Sequence, residues 1–182
     1  PGVLRTDVGP VIDSDQKAML DGHIERMTRE EKLIKKLPLN GETAHGTFVT
    51  PAAFELKSLA SLEREVFGPV LHIVRWKADR LTDVVDQIEA TGYGLTFGIH
   101  TRVDSRADWL VNRLPVGNAY VNRNMIGAIV GVQPFGGEGL SGTGPKAGGP
   151  RYLHRFATER TVSVDTTAAG GNASLMSLQD EG

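Results

Sequence analysis

Apolar side chains recur with a helical period in three places along this chain and cluster in short runs between them. From about Asp13 onward, Leu20, Ile24 and Met27 fall at i, i+4 and i+7, one apolar stripe on an otherwise polar helix. Asp13 and Gln16 have the spacing of a capping box in which Asp replaces the usual Ser or Thr. A second helix is predicted over residues 79–90, where Leu81, Val84, Val85 and Ile88 form a full apolar face and Gly92 is placed to end it. A third, over residues 104–114, repeats that face with Ala107, Leu110, Val111 and Leu114. Pro115 stops it, because a proline in the next turn would remove a donor and clash.

The runs between the helices read as strands. Residues 70–76 are rich in β-formers and apolar on both faces, as expected of a strand covered on two sides. Residues 98–101 and 119–122 are shorter candidates, and residues 54–56 follow the break at Pro51. Strands alternating with amphipathic helices predict an α/β fold with a mostly parallel sheet and flanking helices. Between Pro134 and Pro150 the pattern gives way to glycine, and no regular element is expected there. Residues 160–164 then alternate as a half-exposed strand. Residues 166–182 form a small-residue polar tail, which only Leu175, Met176 and Leu178 could dock.

Composition narrows the function. The 182 residues carry 20 basic and 22 acidic side chains, a net charge of -2, which excludes a strongly basic nucleic-acid binder. No apolar run approaches the ~20 residues needed to span a bilayer, so integral membrane contact is not expected. Cysteine is absent, which removes disulfides, thiolate metal sites and any cysteine nucleophile within these residues. His23, His45, His72, His100 and His154 are scattered without a metal-ligand spacing, and no metal site is expected.

The glycine stretch tests several motifs. Gly137 to Gly142 satisfies G-x-G-x-x-G, but a dinucleotide fingerprint needs a strand before it and a helix after it. Pro145 occupies the place of a P-loop lysine, and the nucleophile-elbow pattern fails at Thr143. Two readings stay open: backbone amides converging on a carboxylate or phosphate, or a structural loop threading a tight gap. Glu63 and Glu65, in a turn-like segment, read by themselves as a solvated charge cluster.

Taken together, the motifs resemble the aldehyde dehydrogenase superfamily. Glu65-Val66-Phe67-Gly68-Pro69 matches its E-x-F-G-P motif, and Pro134-Phe135-Gly136-Gly137 its P-F-G-G signature, with Ser141-Gly142 at the usual spacing. Thr6 to Ile12, Gly117 to Asn122 and Gly142 to Pro150 are similar to one branch, the L-glutamate γ-semialdehyde (Δ1-pyrroline-5-carboxylate) dehydrogenases. The tail is similar to the end of bifunctional proline-utilisation enzymes, in which a proline dehydrogenase precedes this activity.

The resemblance implies a C-terminal fragment. Residues 1–157 would be a partial catalytic domain, and residues 158–182 an oligomerisation strand with its tail. The missing Rossmann domain would belong to the same polypeptide. The implied reaction is NAD-dependent, cytoplasmic oxidation of L-glutamate γ-semialdehyde through a cysteine thiohemiacetal. The cysteine lies upstream, so no catalytic residue is assigned here and this chain alone is expected to be inactive. FAD would belong only to the proline dehydrogenase domain of a bifunctional parent. Glu65 matches the carboxylate that accepts hydrogen bonds from the nicotinamide ribose, and Phe67 the aromatic near the nicotinamide ring. Gly148 and Gly149 match an anchor whose amides hold the substrate α-carboxylate. Phe156 would pack beside the aliphatic chain, and Ser141 would line the same pocket. Residues 161–164 match a strand that pairs across subunits, so the complete enzyme is expected to be a homo-oligomer. The rival reading is a non-catalytic truncated paralogue or assembly module of the same fold.

Overall fold

The computed structural model describes residue 4 and residues 6–142 and 144–165. Helix α1 (Ser14–Glu30) is capped as expected, with Asp13 Oδ1 accepting the Gln16 N–H at 2.7 Å. The Gln16 side chain turns elsewhere: its Nε2 donates to Phe67 O at 2.7 Å and ties the E-x-F-G-P segment to the start of α1. Leu20, Ile24 and Met27 are all buried, against Val49, Ala52, Phe54 and Leu56. Burial of each large apolar side chain contributes about 1.5–3 kcal/mol relative to exposure.

That core lies between α1 and a three-stranded sheet. Strand β1 (Lys32–Lys36) runs antiparallel to β2 (Ala52–Leu56), which runs parallel to β3 (Val70–Val74). In β2, Ala52, Phe54 and Leu56 face the core alternately with half-buried neighbours. Strand β1 has no counterpart in the sequence reading. Its five side chains are all exposed, so hydrophobic alternation carries no signal there. It is held by its backbone ladder and by Lys32, whose Nζ lies 3.1 Å from Glu55 on β2. The lysines also suit an edge strand, where charge discourages pairing with other chains. Strand β3 is shorter than expected, and Leu71 is exposed, so one face of the sheet stays open among the described residues.

The second core gathers Val85, Leu110 and Leu114 from α2 (Leu81–Ala90) and the C-terminal end of α3 (Asp104–Arg113). Phe97 and Ile99 of strand β5 (Thr96–Ile99) pack against it. Strand β4 (Tyr93–Gly94) precedes β5, which pairs in parallel with β6 (Asn118–Val121) across α3, a βαβ unit. Val111, placed on the buried face of α3 by its spacing, is exposed instead, because the covered stripe is the narrower Ala107–Leu110–Leu114 line. Arg113 pairs with Asp86 and Glu89 and joins the outer surfaces of the two helices.

Parallel pairing dominates the longer ladders, as expected of an α/β fold, with antiparallel strands added at the edges. The glycine stretch departs from expectation by holding a strand, β7 (Glu138–Gly139), antiparallel to β4. The strand expected at residues 160–164 does not form a ladder. Residues 157–165 have no regular secondary structure and are exposed; a β segment needs an adjacent strand to take up its backbone groups. The expected tail, residues 166–182, lies outside the described residues, as does Thr143.

Candidate functional site

The E-x-F-G-P segment connects two parallel strands, β2 and β3, and is held from both sides. Gly68 packs directly under α1: a Cβ there would meet Leu20 Cδ1 at 2.5 Å, so helix and segment fit only with glycine at this point. With Phe67 O fixed by Gln16, the Glu65 carboxylate is presented to solvent along a cleft of about 550 Å³. Ser141, from the glycine stretch, lines the same cleft, as do Tyr93 and Thr96. Two of the expected site residues, far apart in sequence, are thus brought to one cleft. Phe67 is also exposed but is not part of its walls. No ion pair among the described residues engages Glu65, so its oxygens can accept hydroxyl donors from a ligand.

Ser141 has a structural bond as well. Its Oγ accepts the Gly94 N–H at 3.2 Å, and its own N–H donates to Glu138 O. The hydroxyl therefore links the turn after β7 to β4 while it lines the cleft.

Gly148 and Gly149 sit beyond a short antiparallel bridge between Phe135 and Ala147, whose two backbone bonds are 3.1 and 2.9 Å. Gly148 has φ +72°, the left-handed region that favours glycine, and its carbonyl accepts the Gly131 N–H at 2.8 Å. The Gly149 N–H already donates to Lys146 O at 3.0 Å. A carboxylate at Gly149 would share that donor with the Lys146 carbonyl or replace it. Phe156 ends a 3-10 turn (Tyr152–Phe156) that begins with the Tyr152 N–H donating to Gly149 O. Its ring is exposed and packs edge-on against Tyr152, with centroids 5.6 Å apart. The anchor residues and Phe156 thus form one group, and Glu65 and Ser141 another.

Two features escaped the sequence reading. The first is Asn118, buried at the start of β6. Its Nδ2 donates to Pro134 O at 3.0 Å, and its Oδ1 accepts from Gly136 N at 3.4 Å and Lys146 Nζ at 3.2 Å. A polar residue opening a buried strand was the available signal. The second is a histidine pair. His23 on α1 and His72 on β3 share a hydrogen bond between their Nε2 atoms at 2.8 Å. Burial, then the neighbouring His72, Arg26 and Arg64, push His23 down to about 4. Burial and Arg26 also lower His72, which lines the Glu65 cleft. Both rings therefore favour the neutral form. Among the described residues no group of three metal-ligating side chains occurs, and no helix is long and apolar enough to cross a membrane.

This fold, with these two motifs on its loops, is that of an aldehyde dehydrogenase, and residues 3–162 match the model of the aldehyde dehydrogenase family; the chain belongs to it. Among curated relatives it is 55% identical over 162 residues to the bifunctional protein PutA of Rhizobium meliloti, covering 89% of this chain and 13% of that protein. The crystal structure of a proline utilization A variant from Bradyrhizobium japonicum matches with TM-score 0.82 and 56% identity, over 90% of this chain and 16% of that one. A 1-pyrroline-5-carboxylate dehydrogenase from Thermus, solved with bound NAD, matches with TM-score 0.73 and 37% identity, over 82% and 29%. The chain thus spans about an eighth of the length of the PutA relative.

Proposed function

We propose that this chain is the C-terminal part of an NAD-dependent dehydrogenase that oxidises L-glutamate γ-semialdehyde to L-glutamate in proline catabolism. The observation that carries the reading is the juxtaposition of an unpaired Glu65 carboxylate with Ser141 in one cleft, on a chain whose relatives include PutA and 1-pyrroline-5-carboxylate dehydrogenase. Bound NAD would supply the hydride acceptor. Glu65 would orient it by accepting from two ribose hydroxyls, each charged bond contributing about 1.5–3 kcal/mol. Phe67, exposed on the same segment, would pack near the nicotinamide. Gly148 and Gly149 would hold the substrate α-carboxylate, with Phe156 beside the aliphatic chain, while Ser141, expected in the same pocket, lines the Glu65 cleft instead. The nucleophilic cysteine and the Rossmann domain would come from residues outside these 182, and residues 161–164 would pair across a homo-oligomer interface.

The anchor is tested by Gly149→Val in a complete enzyme carrying this segment. A side chain at Gly149 would meet Lys146 O at 3.0 Å and Pro134 Cβ at 3.2 Å, so the turn must shift. The expected result is a KM for glutamate semialdehyde raised far more than that for a simple aliphatic aldehyde. Equal effects on both would remove the carboxylate anchor. The rival, a non-catalytic assembly module, is favoured by the absence of cysteine alone. A native polypeptide of 19.6 kDa would select it, and a much larger one would select the dehydrogenase.

A further inference from the structure

We infer that Asn118, with Lys146, is a positioning device that sets the carboxylate anchor, and so a specificity determinant distinct from any residue that touches substrate. The inference rests on the proposed reading of Gly148 and Gly149.

The anchor does not hold itself in place. It belongs to a long irregular stretch, so its geometry cannot come from a helix or a continuous ladder. Three devices fix it. The Phe135–Ala147 bridge sets one side, and Gly131, donating to Gly148 O, sets the other. The third is Asn118. Its single buried amide reaches the carbonyl of the first P-F-G-G residue, the N–H of the third and the side chain of Lys146. Strand β6 thereby fastens the P-F-G-G loop directly and the anchor turn through Lys146.

The Lys146 end is informative. Lys146 is half-buried and makes no ion pair among the described residues; its ammonium donates to the neutral Asn118 oxygen. A lysine that leaves water for a neutral acceptor gains little stability from the bond. What the bond supplies is position: Lys146 O is the acceptor that holds the Gly149 N–H, and Lys146 is three residues from that glycine. Releasing its side chain frees the turn whose amides would meet the carboxylate. Asn118 touches neither Glu65 nor the Ser141 hydroxyl, so the cofactor side should not notice its loss.

The test uses the complete dehydrogenase carrying this segment, with Asn118→Ala, Lys146→Met and the double variant. Each is assayed on glutamate semialdehyde and on propanal, which lacks the carboxylate. For both single variants KM for glutamate semialdehyde should rise about tenfold, with kcat and the propanal constants within about twofold. The double variant should match the singles, because both remove one strap. Asn118→Asp, which keeps the acceptor for Lys146, should restore much of the difference. A parallel loss on both aldehydes, or multiplied effects in the double variant, would overturn the inference. If Asn118→Ala fails to fold, Lys146→Met, on a more exposed side chain, decides alone. A wild-type enzyme indifferent to the carboxylate would sink the anchor reading itself, and this inference with it. Wild-type discrimination left unchanged by both variants would sink the inference alone.

Discussion

Gly117→Ala should be among the most damaging single-methyl additions in this chain. Gly117 immediately precedes β6, and a Cβ built there would lie 1.7 Å from Gly136 O and 2.7 Å from the Gly136 carbonyl carbon. Both obstacles are backbone, so no rotamer change relieves them. The P-F-G-G loop must retreat by at least ~1.3 Å to reach even a tight contact. That movement pulls Pro134 O and Gly136 N away from Asn118, whose bonds to them are 3.0 and 3.4 Å. Each bond is worth about 1 kcal/mol, and stranding the buried amide adds about 1–3 kcal/mol, so at least about 3 kcal/mol in total is expected. With a urea dependence of ~2 kcal/mol/M, the unfolding midpoint should fall by at least about 1.5 M. Gly22→Ala is the control. It lies within α1 with nothing within 4 Å of an added Cβ, and should stabilise by about 0.5–1 kcal/mol through helix propensity. A Gly117→Ala midpoint within about 0.2 M of wild type would refute the close-approach argument.

Two further outcomes test the cofactor side and the histidine pair. Glu65→Gln in the complete enzyme should raise the KM for NAD about tenfold while a thiol-directed reagent still reacts at the unaltered rate, since the amide keeps one neutral acceptor oxygen and turns the other acceptor into an NH2 donor; unchanged cofactor kinetics would remove Glu65 from the site. His23, held at about 4 against an ordinary 6.5, binds its proton more weakly folded than unfolded. Its contribution to stability is therefore complete above about pH 6.5 and is lost progressively as the pH falls toward 4. The loss is on the order of 2 kcal/mol after allowance for solvent near the ring. His23→Gln should flatten that part of the stability–pH curve, and a curve identical to wild type would show that the pair does not carry it.

How much was legible depended on where side chains carried the information. All three helices follow from apolar period, since α1, α2 and α3 each bury one face. The Asp13 cap was equally local, because its acceptor is three residues from its donor. Strand β1 was not legible: Lys32, Lys35 and Lys36 leave no buried face, and its register is set by β2. Strand β7 was hidden for the same reason, as two residues in a glycine run pair with β4 nearly fifty positions away. The resemblance drew attention to Glu65 and Ser141, but that they share a cleft could only come from the fold. Asn118 stood within the Gly117 to Asn122 motif, but its bonds were hidden because all three of its partners are distant in sequence and two are backbone groups.

The glycine stretch threads a tight gap at one place, and the proposed carboxylate anchor lies at another. Threading and anion cradling were alternatives while the stretch was a string of glycines. In the fold they divide along it. A Cβ at Gly142 would stand 2.4 Å from Gly137 O, so this part of the loop is glycine because backbone passes against backbone, and no room is left there for an anion. That also explains why a G-x-G-x-x-G pattern occurs without a dinucleotide turn: its last glycine is filled by its first. Gly148 differs: its φ is left-handed, and the peptide that follows is held at both ends, its carbonyl by the Gly131 N–H and its N–H by the Lys146 carbonyl. The threaded part supplies the rigidity that the cradle part lacks, with Asn118 joining the two. Rigidity matters here because hydrogen bonds to a substrate carboxylate discriminate only when the donors are held in place before the ligand arrives. A tight glycine crossing beneath a turn of glycines is therefore one device, and loosening either half should cost the same selectivity.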